Sequence, residues 1–450
     1  MRVPIPEFLL TGGLAAAFAT LGEILLARRV RSLAEGNEAM LAGMGAAAAA
    51  LFPFTLLFGG RALAAEAVLL GTAFLLAIAR RIRTRDAAPP ESPPRTRDPL
   101  ARWLLAAVGL VIAAFAALNF RLTYVWDGLL IWATKAQLLS HAGALTREWY
   151  PGDVYDLRHL AYPLLVPLCE SLLGVLRGGF HFDVTKPVFF LFYLSLLAGT
   201  YSATRAVASA RAAALATMLV ALVPALVSGP AAGGYADMPQ AAVVAAVTAA
   251  ALKSRADGRS ALPWLIGALT TVKSEGTILA VAACAAVALY WFLDARASFW
   301  RRSVHESQSL AIVAACFLLR LTYIRWVAAP VDVYSGSLSA AIARLPEVVR
   351  LCVAELISPP QWGLLWPGFL LAAVVLLAGG SLREKVLAST VGATLVLLMA
   401  PFLFTTWPLE LQISQAYSRL AAQIAPAAAV AMVLGYRVAR NRIDEMRVLR

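Results

Sequence analysis

Long apolar runs constrain this chain more than any other feature of its sequence. A helix needs about 20 apolar residues to cross the hydrocarbon core of a membrane. The runs are rich in Ala, Leu and Val and lack the alternation that is typical of membrane β-strands. Fourteen of them are candidate spans, at 8–26, 40–58, 62–80, 103–120, 160–176, 187–204, 212–229, 238–252, 262–272, 277–293, 308–328, 364–379, 386–404 and 416–436.

The composition agrees with a membrane protein. Hydrophobic residues make up 60% of the 450 residues and charged residues only 14%, whereas soluble domains are about 25% charged. These values exclude an ordinary soluble enzyme, a disordered chain and a secreted disulfide scaffold. The sequence therefore predicts an all-α, polytopic transmembrane helical bundle.

Arginine and proline concentrate in one linker between the apolar runs. Residues 80–102 hold seven Arg and five Pro, which suits a solvated cytoplasmic segment. The chain then divides into an N-terminal three-helix membrane segment (1–80), the linker (81–102), a membrane module (103–436) and a basic cytoplasmic tail (437–450). Because cytoplasmic loops are enriched in Lys and Arg, the net charge of +13 requires no nucleic acid as a partner.

Positive charge also decides which runs cross the membrane. If the run at 160–176 crossed, the basic loops that follow it would lie outside. Those loops hold Arg205, Arg211, Lys253, Arg255 and Arg296. Pro163, Pro167 and Glu170 also suit an interfacial or re-entrant segment better than a span. We therefore predict about thirteen spans in a bacterial cytoplasmic membrane, with the N-terminus outside and the C-terminus inside.

The longest loop predicted to lie outside carries most of the polar chemistry. The stretch 121–186 is long, charged and aromatic, while most other outer loops have only a few residues. A large polar loop on a rigid scaffold is the default place for a functional site. Its candidate residues are Asp127, Trp132, Lys135, His159, Tyr162 and Lys186.

Shorter outer segments add charges at the ends of helices. Asp237 lies in GYADMPQ, and Lys273 and Glu275 lie in TVKSEG. The run before Lys273, at 261–272, gives only about 18 Å of helix, too short to span the membrane. Lys273 and Glu275 should therefore lie below the membrane surface, where a charge costs about 2.5–3.5 kcal/mol and needs partners. Arg419, just inside the last helix, needs a partner as well, and a phosphate suits its forked donors.

Structural roles are the alternatives for the same residues. Asp127 is compatible with a solvated loop acid, and Lys273 and Glu275 with an ion pair between helices. Arg419 is compatible with a snorkelling anchor, and Asp237 with an N-cap of the helix that follows it. These alternatives would all have to hold at once on one side of the membrane. Their convergence favours a polar, extracytoplasmic functional site.

Five motifs follow one another along the membrane module. They are TYVWDGLLIWATKAQLLS at 123–140, HLAYPLLVPLCESLLG at 159–174, YAD at 235–237, GALTTVKSEG at 267–276 and SRLAAQIAP at 418–426. In order and sidedness they resemble the GT-C superfamily of integral-membrane glycosyltransferases, which includes protein O-mannosyltransferases and lipid A aminoarabinose transferases. The last two motifs look like those of uncharacterised bacterial members. The resemblance covers roughly residues 100–436.

The resemblance implies a polyprenyl-phosphate-linked sugar donor and an envelope lipid, glycan or protein as the acceptor. It also implies a reaction on the outer face of the cytoplasmic membrane. Asp127 would be the general base toward the acceptor hydroxyl, and the donor phosphate would be stabilised by cations. Those cations would be Arg419, Lys186 and Lys273. The residues that would bind or orient substrates are Trp132, Lys135, His159, Tyr162, Asp237 and Glu275.

Some points stay open at the level of the sequence. Many relatives carry two adjacent acids where this chain has Asp127 alone, so a divalent metal is left open and no metal ligand is assigned. A transporter or flippase of lipid-linked saccharides is one rival function, although it would be expected to show internal repeats. A ligase or polymerase is another, but its large outer loop typically lies late in the chain. Here the late outer loop, 329–362, has the pattern of an amphipathic interfacial helix.

Overall fold

The computed structural model describes residues 5–27, 29–83, 98–146, 159, 161–227, 232–253, 260–294, 299–327 and 337–448. Within these ranges every extended regular element is helical, which confirms the predicted all-α class. The α-helices are numbered below in chain order.

The first half of the described chain forms α1 to α10. They are α1 (Ile5–Leu25), α2 (Leu33–Phe58), α3 (Ala62–Arg83), α4 (Pro99–Arg121), α5 (Thr134–Ala142), α6 (Leu165–Arg177), α7 (Phe182–Thr185), α8 (Pro187–Arg205), α9 (Ala210–Ala221) and α10 (Pro224–Val227). A π-helical segment, Gly128–Ala133, runs directly into α5.

The second half of the described chain forms α11 to α20. They are α11 (Asp237–Leu252), α12 (Leu262–Val272), α13 (Gly276–Leu293), α14 (Phe299–Val327), α15 (Leu338–Leu356), α16 (Pro359–Trp362), α17 (Leu365–Gly379), α18 (Leu382–Leu397), α19 (Ala400–Leu403) and α20 (Leu409–Val448). The amphipathic helix expected within 329–362 is α15, whose N-cap is Ser337.

Eight segments of the described chain are long and apolar enough to cross a membrane. One of them, Leu33–Ile82, contains both α2 and α3, which are joined by a single 3₁₀ turn at Gly59–Arg61. Four shorter apolar helices, α9, α11, α12 and α17, have between 11 and 16 residues. The chain is therefore a multi-pass membrane protein, while the count of about thirteen spans stays a prediction.

Several helix ends differ from the ends of the apolar runs. α20 begins at Leu409, directly after Pro408, rather than at 416, and it continues through the basic tail. There Arg437 pairs with Glu384 near the start of α18. The run at 212–229 is divided between α9 and α10 within the described residues. α20 is longer than its apolar run because hydropathy marks only the apolar part of a helix, whereas backbone hydrogen bonds also extend through polar turns.

Eight polar contacts between segments that are distant in the sequence can be assigned to one side of the membrane by the charge rule. We name the two groups the linker face, predicted to be cytoplasmic, and the site face, predicted to be extracytoplasmic. The linker face holds the ion pairs Arg211–Asp98, Arg81–Glu23, Lys253–Glu38 and Arg437–Glu384. The site face holds the ion pairs Arg419–Asp127 and Arg177–Glu7 and the hydrogen bonds Leu145–Thr55 and Arg344–Thr405. Every one of these contacts joins segments that the charge rule assigns to one side of the membrane.

Each end of α6 makes a polar contact with another segment of the chain. Just before α6, the Tyr162 carbonyl accepts a hydrogen bond of 3.2 Å from Lys135 Nζ. At its end, Arg177 Nε lies 3.3 Å from Glu7 Oε1. The charge rule assigns both partners, Lys135 and Glu7, to the outer side. That 160–176 does not cross stays a prediction, and residue 160 lies outside the described residues.

The N-terminal helices pack against the membrane module. α2 contacts α6, α8, α12 and α14. At Gly45, a Cβ would come within 2.4 Å of the Ala268 Cβ in α12, so glycine permits the close approach of the two helices. Asn37 Nδ2 also donates a 3.2 Å hydrogen bond to the Ser195 carbonyl in α8. The proposed division of the chain at residue 80 stays a prediction, and residues 84–97 of the linker lie outside the described residues.

Candidate functional site

Five charged side chains that the sequence singles out meet in one network on the site face. Asp127 precedes the π-helical segment, and Asp237 begins α11. Lys273 and Glu275 form the turn between α12 and α13, and Arg419 lies within α20. Segments that are far apart in the sequence therefore converge on a single group of charges.

Asp237 is the centre of this network. Its Oδ1 accepts hydrogen bonds from Lys273 Nζ at 2.8 Å and from Gln423 Nε2 at 3.0 Å. Its Oδ2 accepts one from Arg419 at 3.0 Å. The residue is only 5% exposed, and these donors offset the loss of water around its carboxylate. The N-cap alternative is wrong, because the N-cap of α11 is Ala236 and no side chain caps it.

Arg419 bridges the two aspartates. Its Nη1 lies 2.8 Å from Asp127 Oδ2, and its Nη2 lies 3.0 Å from Asp237 Oδ2. The guanidinium carbon is 4.3 Å from the centroid of the Tyr235 ring, a cation–π contact. The partners of Arg419 in this structure are thus two carboxylates and an aromatic face, and its predicted contact with a phosphate stays a prediction.

The three carboxylates differ in how far solvent reaches them. The Asp127 side chain is 34% exposed, and among the described residues only Arg419 bonds to it. The Asp237 side chain is 7% exposed. Glu275 Oε1 lies 3.4 Å from Lys273 Nζ, while its Oε2 has no partner within the described ranges. Asp127 is therefore the member of the network that a substrate reaches most easily.

Two loops with glycines hold Asp127 close to Asp237. The backbone N–H of Val125 donates a 3.0 Å hydrogen bond to the Gly233 carbonyl. A Cβ on Gly128 would lie 2.2 Å from the Gly233 oxygen. A Cβ on Gly234, where φ is +95°, would lie 2.5 Å from the Tyr124 ring. Glycine is therefore required on both sides of this contact.

The backbone on either side of Asp127 is unusual. Trp126 has a φ of +28°, which is rare for a bulky side chain. Gly128–Ala133 form a π-helical turn, a geometry that is frequent at functional sites. Both features set the direction of Asp127, and no pattern in the sequence indicates either of them.

Four other predicted substrate residues form a separate cluster between α5 and α6. Lys135 is fully buried, and its Nζ donates hydrogen bonds to the carbonyls of His159 at 3.1 Å and Tyr162 at 3.2 Å. The His159 and Tyr162 rings stack at 4.6 Å, and Trp132 lies 5.5 Å from Tyr162. Burial lowers the pKa of Lys135 well below its usual value. These contacts fix the segment before α6, and a role in substrate binding stays a prediction.

Lys186 belongs to a third group, which surrounds Tyr124. Its Nζ donates a 2.7 Å hydrogen bond to a carbonyl of the loop before α11 and lies 5.2 Å from the Tyr124 ring centroid. The Tyr124 hydroxyl donates to Glu170 Oε1. Burial raises the pKa of Glu170 to about 8 and lowers that of Lys186 to about 8. Since Tyr124 lies in the loop that carries Asp127, this group supports that loop.

Two residues of the network escaped the sequence analysis. Tyr235 and Gln423 both lie inside quoted motifs, YAD and SRLAAQIAP, so their positions carried a signal but their contacts did not. Burial, together with the nearby Asp127 carboxylate, raises the pKa of Tyr235. The described residues contain no group of three or more His, Cys, Asp and Glu side chains placed to hold a metal ion.

The fold is similar to that of a solved structure. No family model matches the chain, and no curated protein does. The chain is similar to the crystal structure of ArnT from Cupriavidus metallidurans bound to undecaprenyl phosphate, with a TM-score of 0.49 and 17% sequence identity. The alignment covers 77% of this chain and 62% of that one, so the chain spans less than two thirds of the length of ArnT. The side chains of the site are therefore the basis of its proposed function.

Proposed function

We propose that the chain is a GT-C-type glycosyltransferase. It would move a sugar from a polyprenyl-phosphate-linked donor to an envelope lipid, glycan or protein on the outer face of the cytoplasmic membrane. The observation that carries the proposal is the pairing of a reachable carboxylate, Asp127, with a buried one, Asp237, through the same guanidinium of Arg419. A purely structural ion network would not need a member that is open to solvent.

The reaction needs a group that accepts a proton from the attacking hydroxyl. The acceptor oxygen forms a bond to the anomeric carbon of the sugar while the bond from that carbon to the donor phosphate breaks. The proton passes to Asp127, and the bonding electrons leave with the phosphate, which is a good leaving group without a general acid. A single displacement of this kind inverts the anomeric centre and forms no covalent enzyme intermediate.

The geometry of Asp127 supports this role. Its Oδ2 is fixed by Arg419 at 2.8 Å, while its Oδ1 makes no hydrogen bond to a described residue and is left for the acceptor hydroxyl. Lys273 is held by Asp237 at 2.8 Å, so we assign it to positioning that aspartate. Arg419 remains the cation of the network nearest to the open side, with a side chain that is 22% exposed.

The test is a comparison of two acid-to-amide variants in the natural host. The gene is deleted and restored as wild type, Asp127→Asn or Glu347→Gln, at matched membrane levels. Glu347 is a suitable control because it is an exposed acid on α15 whose partner, Arg350, is also exposed. The initial rate of sugar incorporation into the envelope and the amount of lipid-linked donor are measured by mass spectrometry.

Loss of a general base lowers the rate of transfer by about 10²–10⁴-fold. We therefore expect Asp127→Asn to abolish incorporation and to cause the lipid-linked donor to accumulate, while Glu347→Gln behaves as wild type. If Asp127→Asn restores the glycan fully, Asp127 is not the general base. Transport of a lipid-linked saccharide, which needs no proton acceptor, would then be the better explanation.

A further inference from the structure

A buried arginine in α14 has an unused hydrogen-bond donor. Arg320 is only 8% exposed. Its Nη2 donates a 3.3 Å hydrogen bond to Ser274 Oγ, and its guanidinium carbon lies 5.8 Å from the centroid of the Tyr323 ring. Its Nη1 has no hydrogen-bond partner in the part of the chain that the structure describes. Since nearly all buried polar groups in proteins have a partner, a donor of this kind indicates a bound water molecule or ion.

A small cavity adjoins this arginine. Its volume is about 30 Å³, which is room for a single small occupant such as one water molecule. Phe52 of α2 and Leu164 before α6 contribute to its largely apolar walls, and Thr271 and Arg320 are polar members of its lining. The Thr271 hydroxyl donates its proton to the Ala268 carbonyl at 2.8 Å. The guanidinium of Arg320 is therefore the strongest donor that the described lining offers to an occupant.

Positive charge is in excess around the cavity. Burial, and after it the charge of Arg320, lower the pKa of Lys135 well below its usual value, so these two cations lie close enough to repel each other. Glu275 follows Ser274 directly, but its Oε1 lies 3.4 Å from Lys273 Nζ and is shared with that lysine.

The neighbouring network does not remove this excess. Its three carboxylates face four cations when Lys135 and Arg320 are included. The carboxylates are Asp127, Asp237 and Glu275, and the cations are Lys135, Lys273, Arg320 and Arg419. One further negative charge would therefore balance the described group, and the cavity beside Arg320 has room for a monatomic ion.

We infer that this cavity binds one chloride ion against Arg320 Nη1. A buried charge without compensation is costly. A water molecule would leave the charge unchanged and would need two or more polar partners. Chloride needs only donors, brings the missing negative charge, and is weakly enough hydrated to lie against apolar side chains.

The ion would also stabilise the turn between α12 and α13. Arg320 bonds to Ser274, and Ser274 is the neighbour of Lys273, which bonds to Asp237. An anion that compensates Arg320 therefore holds the turn that positions the buried aspartate of the network. The inference does not rest on the proposed function, since it concerns a charge that the network itself leaves unbalanced.

The experiment measures the thermal midpoint of the full-length protein, purified in detergent in sodium gluconate. Chloride then replaces gluconate stepwise at constant ionic strength, and bromide is used in a parallel series. We expect the midpoint of wild type to rise by about 2–4 °C and to reach a plateau, because a ligand that binds only the folded protein stabilises it. Arg320→Gln should remove this rise. Arg325→Gln is the matched control, because Arg325 is an exposed arginine on the same helix, and it should keep the rise.

A second variant tests the cavity if Arg320→Gln does not fold. Ala49 also lines the cavity, so Ala49→Val fills it while the arginine stays in place, and the chloride-dependent rise should again be lost. A wild-type midpoint that does not respond to chloride or bromide overturns the inference, and water is then the occupant. The same rise in folded Arg320→Gln or Ala49→Val overturns it as well. None of these results touches the proposed function, because no sugar transfer is measured.

Discussion

Asp127 and Asp237 share one arginine, yet substitution of each by Asn should affect stability to a different extent. The Asp127 side chain is 34% exposed and bonds only to Arg419 among the described residues. An ion pair with this exposure stabilises a fold by about 1 kcal/mol or less. Asp237 is 5% exposed and accepts hydrogen bonds from three side chains. Removal of one partner from a buried pair costs about 3–5 kcal/mol, because the remaining charges stay buried.

We therefore expect Asp127→Asn to lower the thermal midpoint of the protein only slightly and Asp237→Asn to lower it several times more. Activity should follow a different order, since Asp127→Asn abolishes transfer although the protein stays folded. The midpoints are measured in detergent by intrinsic fluorescence at a fixed heating rate, because unfolding of a large membrane protein is a rate as much as an equilibrium. Equal losses of stability in the two variants would refute the claim that only Asp237 is the structural centre of the network.

Three further results follow from the same contacts. Burial raises the pKa of Glu170 from 4.5 to about 8. The stability that this residue contributes is therefore fully present below pH 4.5 and is lost as the pH rises to about 8. In a plot of the thermal midpoint against pH, Glu170→Gln should flatten this region. Gly128→Ala places a Cβ 2.2 Å from a backbone oxygen, so it should displace Asp127 and lower activity at least tenfold, and normal kinetics would contradict the loop contact. Cysteines introduced at the exposed positions Ser339 and Arg440 should react differently with a membrane-impermeant maleimide in intact cells. We expect labelling at position 339 alone, and labelling at position 440 alone would reverse the predicted sidedness.

The sequence was sufficient to predict the helical bundle, and it also suggests a direction for each span, which stays a prediction. Both depend on local properties, the hydropathy of a run and the charge of the next loop, which a single sequence displays directly. The segment at 160–176 is the clearest case. Its composition alone allows a span, but the positive-inside rule places the loops with Arg205 and Lys253 in the cytoplasm only if this segment does not cross, so its non-crossing is a prediction from charge alone.

The contacts within the site depend on backbone geometry that no local pattern shows. The positive φ of Trp126 and the π-helical turn after Asp127 are consequences of how two loops approach each other. The hydrogen bond from Tyr124 to Glu170 joins a loop to a helix, and neither residue type indicates the other in a sequence. Lys135 and Lys186 illustrate the same limit, because their contacts in the structure are with backbone carbonyls.

Arg419 and Arg320 show that the partner of a buried arginine cannot be predicted from the sequence alone. Both are arginines within long apolar helices, and each must be compensated. For Arg419 the sequence suggested a phosphate, but the structure supplies two aspartates. Arg320 lies inside the run at 308–328, among apolar residues that are typical of a span, yet it is a buried arginine whose Nη1 has no hydrogen-bond partner among the described residues. The cost of a buried charge can therefore be predicted from sequence, but its partner depends on the three-dimensional arrangement, and a ligand is best sought at the charge that the fold itself leaves unsatisfied.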